Sequence, residues 1–163
     1  MESTITNWSR VYEATTLQIQ RSIAALEILR PAIDLILRLW LARVFWNAGT
    51  VKLMSWNTTL MLFANEYNVP LLDPTLAAWL ATGVEVGGAV LLAIGFGTRI
   101  GALALSVLNA VAVYSYYSEL SEAGIKDHIY WGMMLGVILL HGPGTWSVDF
   151  WIRRRFLTMA PRS

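Results

Sequence analysis

Four long apolar stretches, separated by polar or turn-rich segments, limit what this 163-residue chain can fold into. They lie at about 31–51, 75–95, 100–117 and 124–141. A bilayer core about 30 Å thick needs roughly 20 apolar residues to be crossed by a helix. Water cannot satisfy backbone groups at that depth, so each stretch is predicted to be helical. The pattern predicts an all-α integral membrane protein built as an antiparallel four-helix bundle.

The composition agrees with a membrane protein and excludes several kinds of site. Hydrophobic residues make up 56% of the chain and charged residues 14%, whereas a soluble domain carries about 25% charged residues. The net charge of +1 offers no basic surface for nucleic acid, so no nucleic-acid partner is expected. The chain has no cysteine and only two histidines, and its glycine spacing at 95–101 misses the dinucleotide fingerprint. We therefore expect no metal, haem or dinucleotide.

The segments on either side of the apolar stretches have their own character. Residues 1–30 place apolar side chains such as Ile19 and Ile23 at helical spacing, which predicts an amphipathic helix on the membrane surface. A loosely ordered polar arm is the alternative for this extension. The membrane domain is then 31–151, and 152–163 forms a basic tail.

The distribution of positive charge predicts the orientation in the membrane. All ten arginines except Arg38 and Arg43 lie in flanks on one side, and the opposite flanks carry only the two lysines. Because Lys and Arg are enriched on the cytoplasmic side, both termini should be cytoplasmic. The loops at about 53–74 and 118–127 should face outward.

Two charged residues within the spans are predicted to meet near the bilayer midplane. Arg43 and Glu85 each lie about ten residues from the outer end of their helix, roughly 15 Å deep. We therefore expect an Arg43–Glu85 ion pair, with Asn109 at a similar depth and Asn47 one turn from Arg43. Such a cluster is either a polar clamp between helices or one end of a pocket or proton relay.

A second polar cluster is expected at the cytoplasmic face. Most of its members would be snorkelling charges or helix caps, and His141 would bond backbone carbonyls at a helix end. The members are Asp34, Arg38, Arg99, His141 and Asp149.

Four short motifs follow one another between about residues 35 and 150. They are Arg38…Phe45…Gly49-x-x-Lys52-Leu53, Glu85-Val86-Gly87-Gly88, Gly95…Thr98-Arg99 and Gly142-Pro143-Gly144-x-x-Ser147-x-Asp149. In this order they resemble the DoxX family of small four-helix bacterial inner-membrane proteins. The chain departs from the common pattern in having Ala42 in place of a glycine, the additional Arg43, and the N-terminal extension.

The resemblance implies a function that composition does not. Founding DoxX members look like membrane subunits of a thiosulfate:quinone oxidoreductase, and others associate with redox-defence complexes or are encoded beside enzymes that modify small metal-binding peptides. It implies an inner-membrane redox-accessory subunit that binds quinone between its helices and couples to a partner oxidoreductase. Such a chain would be a non-autonomous subunit, because it has no redox-active side-chain set or cofactor motif of its own.

Under this hypothesis, Glu85 and Arg43 are the predicted catalytic residues. Glu85 would accept or deliver a proton, and Arg43 or Asn47 would hydrogen-bond a quinone carbonyl. The predicted cofactor-binding residues are Asn47, Lys52, Asn109 and Arg38.

The alternative is a non-catalytic membrane anchor or assembly factor for a soluble partner, such as a system that modifies metal-binding peptides. Its amphipathic ends and the basic run 153–155 would then hold the partner or anionic lipid. The bilayer, a soluble or membrane protein and a second copy of the chain are the candidate partners. The GxxxG at Gly83 and Gly87 favours packing within the bundle over dimerisation.

Overall fold

The structure is a computed structural model that describes residues 2–67 and 69–157. Six α-helices and no strands occur in these residues, which confirms the all-α class. They are α1 Glu2–Met54, α2 Trp56–Asn65, α3 Pro74–Ile94, α4 Thr98–Tyr116, α5 Glu122–His141 and α6 Val148–Ile152, followed by a π-helical turn at Arg153–Leu157. The rest of the predicted basic tail, with Arg162, lies outside the described residues.

The predicted N-terminal extension and first span form one continuous helix. α1 runs through Pro31 without a break, so the expected border at this residue is not a helix end. Side chains described between 13 and 30 are exposed. Among the side chains that the structure describes on α1, the first fully buried one is that of Arg38.

Helices α3 and α4 match the predicted second and third spans closely. Local signals in the sequence define both ends of α3. Asp73 caps α3 by accepting the amides of Thr75 and Leu76, and Pro74 occupies its first turn. Gly95 ends α3 in the left-handed conformation, at φ 73°. Among the described helices, α3 and α4 are long and apolar enough to cross a membrane.

The predicted outer loop at 53–74 is wrong in part, because α2 occupies its first half. Trp56, Leu60 and Phe63 recur at helical spacing, a signal that was available in the sequence. This face of α2 packs on the start of α3 around Ala77 and Ala78. α2 therefore covers one end of the helix assembly.

Four helices contribute to the main core. α1 packs on α3, α3 on α4 and α4 on α5, and α5 returns to contact α1. The buried apolar side chains are Leu41, Ala42 and Phe45 of α1, Ala89 and Leu92 of α3, Ala102 and Leu105 of α4, and Leu135 and Ile138 of α5.

Close contact between α1 and α3 depends on Gly49. A Cβ at this position would lie 2.7 Å from Val86 Cγ2 and 3.2 Å from the Val86 amide nitrogen. Because the backbone of α3 cannot yield as a flexible side chain can, we expect Gly49→Ala to destabilise the protein by about 1–3 kcal/mol. Thermal unfolding in detergent micelles measures the change.

The GxxxG glycines are the matched controls for this prediction. A Cβ at Gly83 or Gly87 would meet nothing within 4 Å, so the expectation that they bring helices of the bundle together is wrong. Alanine has the higher helix propensity, and Gly83→Ala should raise stability by up to about 1 kcal/mol. Equal losses for Gly49→Ala and Gly83→Ala would contradict the role assigned to Gly49.

Candidate functional site

Glu85 forms an ion pair with Lys52, not with Arg43. Lys52 Nζ lies 2.7 Å from Glu85 Oε1 and 2.8 Å from Oε2, joining the end of α1 to the middle of α3. The Glu85 side chain is 10% exposed and that of Lys52 is 21% exposed. The predicted Arg43–Glu85 pair is therefore wrong, although Glu85 does hold a cation between helices.

Helix geometry explains why Lys52 replaces Arg43. Nine positions at about 100° each place Arg43 on the side of α1 opposite Lys52. Lys52 thus shares the face of Phe45 and Gly49, which packs inward, while Arg43 is exposed. Matching residues by depth alone selects the wrong cation, because depth does not specify which side of the helix a residue occupies.

Asn109 and His128 form a second polar pair, which links α4 to α5. His128 Nδ1 lies 2.7 Å from Asn109 Oδ1, and Asn109 Nδ2 donates to the His128 carbonyl oxygen at 2.9 Å. Asn109, predicted to lie at the depth of Arg43 and Glu85, thus bonds His128 instead of either of them. His128 is only partly exposed, and its ring lies 4.9 Å from that of Trp131.

A cavity of about 460 Å³ lies between these two polar pairs. Its wall comes from α1 to α5 and from the loop after α2, and most of the lining side chains are apolar. The polar groups on the wall include Lys52, Glu85, Asn109 and His128. We call this space the central cavity. Its size and its few convergent polar groups are typical of small-molecule sites.

Aromatic rings form two parts of the cavity wall. Trp131 stands edge-on to Phe45, with ring centroids 6.1 Å apart. On the α2 side, Tyr67 lies edge-on to Tyr116 at 4.9 Å. Flat rings at both positions give the cavity surfaces against which a planar ligand can lie.

The structure brings together only part of the predicted site. Lys52, Glu85 and Asn109 line the central cavity. Arg43 and Asn47 lie on the exposed side of α1 and do not line it. Their predicted roles toward a bound quinone therefore have no geometric support.

Arg38 lies away from the central cavity, in a junction between the interior of α1, the C-terminal end of α3 and the segment after α5. It is 1% exposed and donates from Nη1 to the Leu92 carbonyl oxygen at 3.0 Å and from Nη2 to that of Trp146. A Cβ on Gly95 would lie 2.7 Å from Ser147 Cβ, so the backbone approaches closely here. We call this contact region the Arg38 junction.

Asp149 caps the start of α4 across the same region. Its Oδ1 accepts the Gly97 amide at 2.8 Å and its Oδ2 the Thr98 amide at 2.9 Å. Its own amide donates to the Gly95 carbonyl oxygen at 2.9 Å. Burial alone would raise the pKa of the Asp149 carboxyl, but the Thr98 and Gly97 hydrogen bonds outweigh it and hold this pKa below its ordinary value.

We predict that Asp149→Asn lowers stability by about 1–2 kcal/mol at neutral pH, because the amide keeps one accepting oxygen and leaves the Gly97 or Thr98 amide without its acceptor. A lowered folded-state pKa stabilises the protein above the ordinary pKa of about 4, and this contribution is lost as the pH falls through the folded-state value. Unfolding curves of parent and variant between pH 7 and pH 3 should therefore converge on acidification. Curves that stay equally separated would contradict the capping role of the carboxylate.

His141 behaves as expected, since its Nδ1 lies 3.2 Å from the Val137 carbonyl oxygen at the end of α5. Arg99 likewise reaches a helix-end carbonyl, that of Leu140, at 3.2 Å. These two members of the second predicted polar cluster thus contact the last turn of α5.

Comparison with known families decides the identity of the chain. A family model described as DoxX matches residues 33–118. The chain belongs to the DoxX family. No curated protein and no solved structure shows a significant match to it.

The four DoxX-like motifs meet in two places. Gly49 and Lys52 of the first motif contact Val86 and Glu85 of the second. Arg38 and the other two motifs meet in and beside the Arg38 junction. In this DoxX protein, one group of motif residues therefore borders the central cavity, while the other joins helix ends and connecting turns.

Proposed function

We propose that this DoxX protein crosses the bacterial inner membrane four times, with both termini cytoplasmic. Family membership and the two membrane-capable helices support membrane association. α1 and α5 also carry large apolar side chains on their outer surfaces, among them Ile36, Trp40 and Met133. The spans would be α1 from about Pro31 onward, α3, α4 and α5.

The proposed function is that of a quinone-binding redox-accessory subunit. The observation that carries it is the central cavity, which combines apolar walls with two polar pairs. A quinone ring has the same combination of a flat apolar body and polar carbonyl oxygens. When bound, it would supply two-electron redox chemistry, for which this chain has no side-chain set of its own.

The cavity residues have distinct roles in this proposal. Lys52 and Asn109 carry N–H donors that can reorient toward a carbonyl oxygen, and His128 can donate or accept depending on its tautomer. Glu85 would hold or release a proton at its carboxylate, with Lys52 balancing its charge. Electrons must come from a partner oxidoreductase, so the chain acts as a subunit.

Two alanines on α4 provide a test of the ligand site. Ala112 lines the central cavity, whereas Ala110 is exposed on the same helix. We expect Ala112→Phe to fill the cavity and remove quinone from protein purified gently from its native membrane, with Ala110→Phe retaining it. Solvent extraction and mass spectrometry measure the bound quinone. Equal amounts of quinone in both variants, or no quinone in the parent protein, would contradict the proposal that the central cavity binds quinone.

The role of Glu85 is tested separately. Glu85→Gln keeps the shape of the side chain but removes its charge, so quinone should remain bound while quinone-linked turnover of the complex falls. Unchanged turnover across the pH range would show that Glu85 carries no proton in the reaction.

A membrane anchor for a soluble partner is the second candidate, and a specific observation favours it. Side chains described between 13 and 30 on α1 are exposed, including Leu26 and Ile28 at 68% and 78%. If this segment holds a partner, deleting residues 2–30 should abolish partner association while Ala112→Phe leaves it intact. The reverse pattern would favour the quinone subunit.

A further inference from the structure

The exposed side of α1 carries a charge at its centre. Trp40 is 58% exposed and Trp46 is 45% exposed, and both lie close to Arg43 on the helix surface. At about 100° per residue, Asn47 follows Arg43 by one turn on the same side. We call this surface the Arg43 face; it consists of Ile36, Leu39, Trp40, Arg43, Trp46 and Asn47.

The position of Arg43 is unfavourable for an isolated membrane protein. Under the proposed four-span arrangement, on which this inference rests, Arg43 lies 12 residues from Pro31 and 11 from Met54. At 1.5 Å per residue that is about 16–18 Å from either end, near the midplane. A charge facing lipid at this depth is costly, and intramembrane charges usually pair or face protein.

No acidic residue that the structure describes neutralises Arg43. The Glu85 carboxylate, at the right depth, is bound by Lys52. Asp34, nine residues before Arg43, lies on the opposite side of α1. None of the ion pairs or hydrogen bonds within the described residues involves the Arg43 side chain.

A second copy of the chain does not supply the missing carboxylate. In a twofold dimer each Arg43 would need a carboxylate of the other copy at its own depth, and the described residue that lies there, Glu85, is already bound by Lys52. Two copies that met through their Arg43 faces would bring Arg43 against its own equivalent. Like charges at an interface disfavour that pairing. Charge complementarity therefore requires a different protein.

We propose that the Arg43 face binds a transmembrane helix of a partner protein that carries an Asp or Glu near the midplane. Arg43 would pair with that carboxylate, and Asn47 would add a hydrogen bond between the helices. Trp40 and Trp46 flank the pair; Trp and Arg are the residue types that dominate binding energy at protein interfaces. The site is distinct from the central cavity, because it lies on the other side of α1.

Photo-cross-linking in the native membrane tests this interface. A benzophenone amino acid replaces Trp40 in the full chain, and the control replaces Met133 of α5, which has a similar exposed fraction of 55%. We expect a cross-linked protein from position 40 and none from position 133. The cross-linked peptide, read by mass spectrometry, should be an apolar segment that contains Asp or Glu.

Charge variants then test the pairing itself. Arg43→Leu and Arg43→Glu should reduce the adduct at least tenfold, and Arg43→Lys should retain most of it. Changing the partner's carboxylate to Arg should restore the adduct with Arg43→Glu. The melting temperature of the isolated chain should not fall in Arg43→Leu, which separates lost docking from misfolding.

Each contrary result overturns the proposal. An adduct with a second copy, an adduct with lipid alone, no adduct, or an adduct insensitive to Arg43→Leu would do so. Alkaline carbonate extraction of the same membranes distinguishes a failure of the four-span arrangement from a failure of the partner-helix proposal. A chain released by carbonate refutes membrane insertion, whereas a retained chain without the expected adduct refutes only the partner helix.

Discussion

Replacing Lys52 with methionine should lower the free energy of unfolding by about 3–5 kcal/mol, because the change leaves the Glu85 carboxylate buried without its cation. The two groups meet at 2.7 Å and are largely shielded from their surroundings. Removing one partner lowers the free energy of unfolding by more than the intact pair contributes to it, because the remaining charge stays buried without a counter-charge. Denaturant unfolding in micelles, followed by tryptophan fluorescence, measures the loss.

The other lysine and a double variant are the controls. Lys126 is exposed at the start of α5, and Lys126→Met should change stability by no more than about 0.5 kcal/mol. Combining Lys52→Met with Glu85→Leu should recover most of the loss, because both charges are then absent. A double variant no more stable than Lys52→Met would show that the loss comes from packing.

Arg38→Met should lower the free energy of unfolding by about 3 kcal/mol or more. The guanidinium donates to the Leu92 and Trp146 carbonyl oxygens, and a hydrogen bond involving a charged group contributes about 1.5–3 kcal/mol. Its loss also leaves both carbonyl oxygens without this donor and removes the hydrogen bond that joins α1 to the turn after α5. The same unfolding experiment measures the change.

Arg43→Met on the same helix is the matched control for Arg38→Met. Arg43 is exposed, so its removal should leave the isolated protein as stable as the parent or slightly more stable. Arg38→Lys should recover only part of the loss, because one ammonium cannot reproduce the planar two-armed donor geometry. Equal effects of Arg38→Met and Arg43→Met would refute the structural role of the Arg38 junction.

Local patterns predicted the helices well, and the ends of α3 in particular. Asp73-Pro74 and Gly95 are start and stop signals that act within a few residues, so no tertiary information is needed to recognise them. α2 carried a similar apolar spacing, but a segment of ten residues between two spans reads more readily as a loop. The burial of α2 on α3 is what makes the short helix stable.

The candidate site was predicted only in part. Glu85 and Asn109 were selected because polar groups inside apolar stretches are conspicuous in the sequence, and Lys52 because it stands at the end of the first stretch. Their partners were not predictable in the same way: His128 lies in the first two turns of α5, where the outer interface is expected. Its bond to Asn109 depends on how α5 is rotated against α4.

The sequence by itself determined that the four apolar stretches are helical and how far along its helix each polar residue lies. Both follow from apolar run length, capping residues and a fixed rise per residue, which are local quantities. Only the tertiary structure decided which side of α1 packs inward, because both sides carry large apolar residues and the usual contrast between polar and apolar faces is weak. That rotation pairs Glu85 with Lys52, leaves Arg43 exposed, and opens a cavity between residues distant in the chain.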